Sequence, residues 1–218
     1  MRKVASTIDA DIQALAVRNT QTMRAVRRKY SRMLRLASPE FVLQLARKLL
    51  KIDAYRWIAY ELIQSHKPTF ERLGEAEVED LGQGINSWST VDDFARNLAG
   101  PAWLKGQVSD KLILKWACSK DRWWRRAALV STVALNVQSH GGKGDTSRTL
   151  RVCHVLVNDH NDMVAKAMSW ALRELVAHDA RAVQEFLSEH DQVLAARVKR
   201  EVKNKLSTGL KNPRRKGH

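Results

Sequence analysis

The spacing of the apolar residues restricts the fold more than any other feature of this chain. They recur at i, i+3, i+4 and i+7 through most of the 218 residues, and alternation of apolar and polar residues never persists beyond a few positions. This period belongs to the α-helix. The sequence therefore predicts an all-α protein, with helices near 6–17, 20–36, 39–51, 54–66, 76–84, 90–99, 108–118, 121–138, 146–157, 161–177, 180–189 and 193–207.

Residues that begin and end helices support several of these boundaries. Ser38 followed by Pro39 is typical of an N-cap with proline in the first helical turn. Gly100 followed by Pro101 predicts the end of the helix over 90–99. The short joints favour antiparallel helix pairs.

Two helical segments resemble each other at a distance of 40 residues, from Ala127 to Ala167. A period near 40 with paired helices is typical of HEAT-like repeats, which stack into a solenoid and bury one continuous core. Alanine-rich helices also resemble one another through composition alone, so coincidence stays an alternative. We predict one HEAT-like domain over 1–210, a curved solenoid with a basic concave groove, and a flexible basic tail over 211–218.

The charge restricts the partners. The chain carries 38 Lys and Arg against 23 Asp and Glu, which gives a net charge of +15 and favours a polyanion such as DNA. For any single basic block, a solvated helix face or a disordered tail is the alternative interpretation. The three basic blocks are Arg24, Arg27, Arg28, Lys29, Arg32 and Arg35; Lys111, Lys115, Lys120, Arg122 and Arg125, interleaved with Trp116, Trp123 and Trp124; and Arg197, Lys199, Arg200, Lys203 and Lys205, continuing into the tail.

Other classes of protein find little support in the sequence. No apolar run reaches the roughly 18–20 residues of a membrane-spanning helix, and the first residues lack the apolar centre of a signal peptide, so we expect a cytoplasmic protein. Cys118 and Cys153 stand far apart and are expected to be buried free thiols. The histidines form no metal-binding motif, and we expect neither a metal nor a cofactor.

Four residues stand out because of their chemistry and their position on the helical wheel. Trp88 and Asp92 lie one helical turn apart, and Asp92 falls on the polar flank of its helix. Arg126 and Trp170 each point roughly 130° away from the apolar stripe of their helices, in the same rotational sense. Successive repeats would then project both into one groove. Alternatively, Asp92 pairs with Arg96 or serves the helix N-terminus, the tryptophans pack on neighbouring helices, and Arg126 is solvated.

Three stretches of the sequence carry a family likeness. They are Ser87-Trp88-Ser89-Thr90-Val91-Asp92, Trp124-Arg125-Arg126-Ala127-Ala128 and Lys166-Ala167-Met168-Ser169-Trp170-Ala171-Leu172-Arg173-Glu174. They resemble the AlkD-like DNA alkylation repair proteins, which are bacterial HEAT-repeat DNA glycosylases, and weaker likeness extends from about Asn19 to Lys205. The resemblance implies that Asp92 is the catalytic aspartate, Trp88 and Trp170 the two groove tryptophans, and Arg126 a contact to the DNA backbone. Arg125 and Trp123, beside Arg126, are added as candidate DNA-binding residues.

The chain also departs from the family pattern. Ser87 stands where the family often has a second tryptophan, and the residues before Asn19 match poorly. The loop over 139–145 is enlarged. It is not a phosphate-binding P-loop, because Lys143 is followed by Gly144 rather than by Ser or Thr.

The chemistry of alkylated purines suits these residues. Alkylation at N3 of adenine or N7 of guanine gives a cationic base that leaves readily, and a carboxylate stabilises the oxocarbenium charge that develops on the sugar. Indole faces attract such a cation by about 0.5–2 kcal/mol each. This role requires Asp92 to face the groove as a lone carboxylate. A carboxylate that faced away from the groove, or that was held in an internal ion pair, would count against the role.

Three functions follow from these observations. The first is a monomeric DNA glycosylase that acts on duplex DNA carrying 3-methyladenine or 7-methylguanine. The second is a non-catalytic HEAT-like protein that recognises bent or branched DNA. The third is a scaffold for an acidic protein partner.

Overall fold

Every regular element within the described part of the chain is helical, which confirms the all-α prediction. The structure is a computed structural model that describes residues 2–213. Most of the basic tail predicted over 211–218 lies outside the described residues. Within those residues, no helix combines the length and the apolar character needed to cross a membrane. Curvature and a concave groove stay predictions.

The chain divides into two compact units, residues 1–84 and residues 85–218. In the first unit, α3 packs against α4, and α2 packs against both α1 and α4. Ser38 caps α3 through a bond that its hydroxyl accepts from the amide of Phe41, and Pro39 occupies the first turn, as predicted. The helices of this unit are α1 (Arg2–Gln13), α2 (Thr20–Met33), α3 (Pro39–Leu49), α4 (Arg56–Ser65), α5 (Lys67–Phe70) and α6 (Glu75–Leu81).

The second unit is built around one buried helix, α10 (Arg122–Asn136). Every residue of this helix from Arg126 to Asn136 is buried. Helices α7, α8, α9, α11 and α12 all pack on it, and α12 packs in turn on α14. The other helices of the unit are α7 (Trp88–Phe94), α8 (Gly100–Leu104), α9 (Asp110–Ala117), α11 (Thr146–Val155), α12 (Asp162–Leu175), α13 (Ala180–Glu189) and α14 (Ala196–Thr208).

The prediction that Gly100-Pro101 ends a helix is wrong. Helix α7 continues into a π-helical turn over Ala95–Ala99 and then directly into α8, whose first turn contains Pro101. Pro101 lacks an amide hydrogen, and the π turn before it already interrupts the regular i→i−4 hydrogen-bond ladder. The sequence pattern also missed the short helices α5 and α8, whose lengths are too small to show a clear period.

Gly100 has a packing role instead. A Cβ atom added there would lie 2.6 Å from the carbonyl oxygen of Ser131 and 2.8 Å from Cβ of Ala134, both on α10. Only glycine lets the α7–α8 segment approach α10 this closely. The close approach positions the end of α7 against the buried helix.

Candidate functional site

The start of α7 is fixed by a reciprocal cap. The Ser87 hydroxyl accepts a bond from the amide of Thr90 (3.3 Å), and the Thr90 hydroxyl accepts one from the amide of Ser87 (3.2 Å). This capping box sets Trp88 as the first helical residue, with 60% of its surface exposed. Asp92 follows one turn later on the same face. The serine that departs from the family pattern therefore serves as the N-cap of the site helix.

Asp92 forms a bidentate ion pair with Arg126. The guanidinium donates from Nε to Oδ1 of Asp92 (2.9 Å) and from Nη2 to Oδ2 (2.8 Å). The Arg126 side chain is 6% exposed and that of Asp92 is 20% exposed. Two parallel charge-assisted bonds fix the carboxylate in position and orientation. The pair joins α7 to the buried helix α10.

Arg126 also reaches the start of α12, where its Nη1 donates to the carbonyl oxygen of Met163. These bonds use three of the five N–H groups of a guanidinium and leave two for another acceptor. Trp170 lies seven residues after Met163, which places it on the same face of α12, about 10 Å along the axis. Arg126 therefore connects the helix that carries Trp88 and Asp92 with the helix that carries Trp170.

Burial and the neighbouring positive charges shift the pKa of Asp92 in opposite directions. Burial raises the pKa of the carboxyl above its ordinary value, and the guanidinium groups of Arg126 and Arg96 partly offset that rise. Arg96 lies on the π turn that follows α7, and its Nε is buried. A second positive charge therefore lies near the carboxylate. The i+4 spacing from Asp92 to Arg96 was the sequence signal for it.

Trp170 is partly exposed, and its indole Nε1 donates to Oε1 of Glu174 (2.9 Å) one turn further along α12. The residue before it, Ser169, is buried and donates to Oε2 of the buried Glu201 on α14 (2.6 Å). Arg173 donates in turn to the Ser169 hydroxyl (3.2 Å). This polar network holds the helix face from which Trp170 projects.

Two expectations about these residues are wrong. Asp92 is not a lone carboxylate, because it is held in an internal ion pair. Arg126 does not project away from the core, because α10 is buried on all sides and has no exposed face there. The helical wheel ranked residues by distance from one apolar stripe, and that ranking loses its meaning in a helix that is surrounded by others.

The two neighbouring candidates, Arg125 and Trp123, are also engaged within the protein. Nε of Arg125 donates to Oδ2 of Asp159 (2.6 Å), and its Nη1 donates to the carbonyls of Ser119 and Lys120. The guanidinium of Arg122 stacks over the indole of Trp123, 4.8 Å from its centroid. Contact of either candidate with DNA stays a prediction. The structure thus joins Asp92 and Arg126 directly and leaves Trp88 most open to solvent.

The backbone carbonyl of Met163 is the site component that the sequence could not reveal, since any residue would supply it.

Within residues 2–213, no three His, Cys, Asp or Glu side chains are grouped in a way that could hold a metal ion.

Comparison with known protein families assigns the chain to one of them. The model of the DNA alkylation repair enzyme family matches residues 2–206, and the chain belongs to that family. The match spans both compact units and includes the whole Asp92–Arg126 site. It supports a role in DNA alkylation repair. A comparison with curated proteins gives no match.

The ion pair makes a testable contribution to stability. We expect Arg126→Met to lower the free energy of unfolding by about 2–4 kcal/mol, because it leaves Asp92 partly buried without its partner. The double variant with Asp92→Asn should recover part of that loss, since no unpaired charge remains. Urea unfolding of both single variants and the double variant measures the coupling. Additive losses would contradict a direct interaction.

Proposed function

We propose that this protein is a DNA glycosylase that removes N3- and N7-alkylated purines, such as 3-methyladenine and 7-methylguanine, by hydrolysing the N-glycosidic bond. The observation that supports this most strongly is the Asp92 carboxylate. It is fixed by Arg126 at the junction of α7, α10 and α12, and it retains 20% of its side-chain surface. The exposed indole of Trp88 stands one turn away.

The alkylated base needs little help to leave, because its positive charge already weakens the glycosidic bond. The protein's task is to stabilise the oxocarbenium charge on the deoxyribose and to position a water molecule. A carboxylate performs both, since it attracts the cationic sugar and accepts a hydrogen bond from water. Asp92 is assigned that role.

The ion pair changes how Asp92 performs this role. Each carboxylate oxygen has two lone pairs, and the bidentate contact with Arg126 occupies one on each. The remaining lone pairs are available to a water molecule or to the sugar. Arg126 brings the net charge of the pair to zero, but it holds the carboxylate in place before the reaction. Preorganised charge acts strongly in a site from which water is excluded, because no reorientation is needed in the transition state.

Arg126 and the tryptophans hold the substrate. The two N–H groups of Arg126 beyond its three internal bonds suit a phosphate oxygen beside the lesion. The indoles of Trp88 and Trp170 favour the cationic nucleotide over its neutral counterpart by about 0.5–2 kcal/mol each. The hydrolysis uses this chain's own residues and water, without a cofactor.

A non-catalytic DNA-binding protein is the second candidate, and one observation favours it. A carboxylate in a bidentate pair with a buried guanidinium is also a common structural arrangement, in which the pair joins two helices. In that case Asp92 would hold α7 against α10 and the protein would bind DNA without releasing bases. The two candidates differ in a single measurable product.

Base release from methylated duplex DNA separates these candidates. We expect the wild type to release 7-methylguanine or 3-methyladenine. Asp92→Asn should lower the single-turnover rate by at least about 100-fold, which is the loss typical of removing one preorganised electrostatic contact to a transition state. Asp93→Asn, on the same helix and with the same change of charge, is the matched control. Mass spectrometry of the released bases measures the rate.

Salt-sensitive binding of methylated DNA by the wild type, with no base released, would favour the non-catalytic candidate. Circular dichroism checks that Asp92→Asn is folded, and the rate is expressed per folded molecule.

The two tryptophans should matter for activity more than for folding. We expect Trp88→Ala and Trp170→Ala each to slow release of the cationic base by roughly 3- to 30-fold, the equivalent of one cation–π contact. Trp116→Ala is the contrasting variant, because Trp116 is 2% exposed and its loss should cost about 3–5 kcal/mol of stability. Thermal unfolding and base release are compared for all three. A large stability loss in Trp170→Ala with activity per folded molecule intact would contradict its assignment.

The direction of the Asp92 shift predicts a pH dependence. The reaction needs the ionised carboxylate, and burial raises its pKa. The rate should therefore fall as the pH decreases through a value above the ordinary pKa of about 3.9. Base release over about pH 4 to 8, corrected for spontaneous loss from DNA, measures this limb. A limb that persists unchanged in the residual activity of Asp92→Asn would show that another group causes it.

A further inference from the structure

The outward face of α2 carries three arginines at one-turn spacing. Arg24, Arg28 and Arg32 stand at i, i+4 and i+8, and all three are exposed. At 100° per residue, the centre of this row lies opposite the centre of the buried pair Val26 and Tyr30. We call Arg24, Arg28 and Arg32 the α2 arginine row. It is held outward because the opposite face of the same helix is anchored in the first unit.

The cations beside the row are neutralised within the first unit. Nε of Arg27 lies 2.7 Å from Oε2 of Glu61, and Nζ of Lys29 lies 2.7 Å from Oδ2 of Asp11. Arg24 stands at the edge of the first pair, 4.0 Å from Glu61, with 53% of its side chain exposed. The two acids thus neutralise the flanks of α2 and leave the outward row with an excess of positive charge.

The third basic block of the sequence differs from the row in this respect. Arg197 pairs with Glu201 (3.1 Å), and Lys199 and Lys203 both approach Asp191, at 3.6 and 3.3 Å. Much of that block's charge is therefore balanced inside the second unit. The structure distinguishes blocks that the sequence could only treat alike.

A polar cavity of about 540 Å³ adjoins the row between α2 and α4. Three guanidinium groups and only one carboxylate line it, together with neutral groups that can donate hydrogen bonds. Such a lining suits the anionic oxygens of a phosphodiester. The lining residues are Arg24, Arg27, Arg28, Glu61, Gln64 and Ser65.

We propose that the α2 arginine row is a binding site for the phosphodiester backbone of duplex DNA, whether or not the DNA is damaged. Eight residues of helix extend about 12 Å, and each strand of a duplex presents one phosphate per roughly 3.4 Å of its axis. The row therefore spans about three to four phosphates of one strand. It contacts no base edge and supplies affinity without sequence information. This inference has only its partner, DNA, in common with the proposed function.

Binding of an undamaged duplex tests this proposal without any base release. The triple variant Arg24→Gln, Arg28→Gln, Arg32→Gln should raise the dissociation constant at least about tenfold at moderate salt and reduce the slope of log K against log salt by about 0.9 per lost phosphate contact. Fluorescence anisotropy of a labelled unmethylated duplex at several salt concentrations measures both. Gln and Arg have similar helix propensities, so α2 should stay folded.

Two further triple variants serve as controls. The first control also removes three positive charges, but from exposed side chains that have acidic partners at Glu40, Asp110 and Glu185. It is the triple variant Arg72→Gln, Arg151→Gln, Arg181→Gln. It should change the slope much less. Replacing the α2 arginine row by lysines should keep most of the binding, because phosphate contact depends mainly on charge.

Equal loss of affinity in the α2 and control variants would overturn the proposal, since net charge alone would then explain binding. So would an α2 variant that binds like the wild type. Neither result depends on catalysis, so a protein that binds through α2 and releases no base would refute the proposed function while upholding this inference.

Discussion

The ion pair between Asp92 and Arg126 is the interaction on which the rest of the site depends. It connects three helices, because Asp92 belongs to α7, Arg126 to α10 and the Met163 carbonyl to α12. A buried guanidinium needs such partners, since leaving it unpaired would cost several kcal/mol. The same pair therefore stabilises the fold and fixes the carboxylate whose charge the proposed reaction uses. In the proposed function, this one contact contributes to both stability and reactivity.

The fold prepares this contact through features far from any substrate. Close approach at Gly100 and the π turn before it hold α7 against α10. The reciprocal cap of Ser87 and Thr90 sets where α7 begins, and hence which residues share the face of Asp92. π turns occur often at functional sites, where they redirect side chains that an unbroken α-helix would place elsewhere. Here the turn carries Arg96, the second cation near the carboxylate.

Much of the helical architecture could be predicted from the sequence, because amphipathic helices such as α3 and α12 show their period clearly and carry recognisable caps. The helical wheel correctly predicted that Trp170 lies off the buried face of α12. It misplaced Arg126, because α10 is packed on all sides and has no polar face to identify. It also could not show the bidentate pair, which joins residues 34 positions apart and depends on how helices dock. The end expected at Gly100-Pro101 was wrong because tertiary packing decides how that glycine is used.

In the proposed function, Asp92 presents negative charge to the sugar of the lesion although it is paired with Arg126. The most direct measurement compares the affinity for a duplex with a cationic pyrrolidine in place of the abasic sugar with that for a duplex with a neutral tetrahydrofuran. The wild type should prefer the cationic duplex by about tenfold or more, as for a mimic of the transition state, and Asp92→Asn should lose that preference. An equal preference in both proteins would contradict the claim and leave Asp92 a purely structural residue.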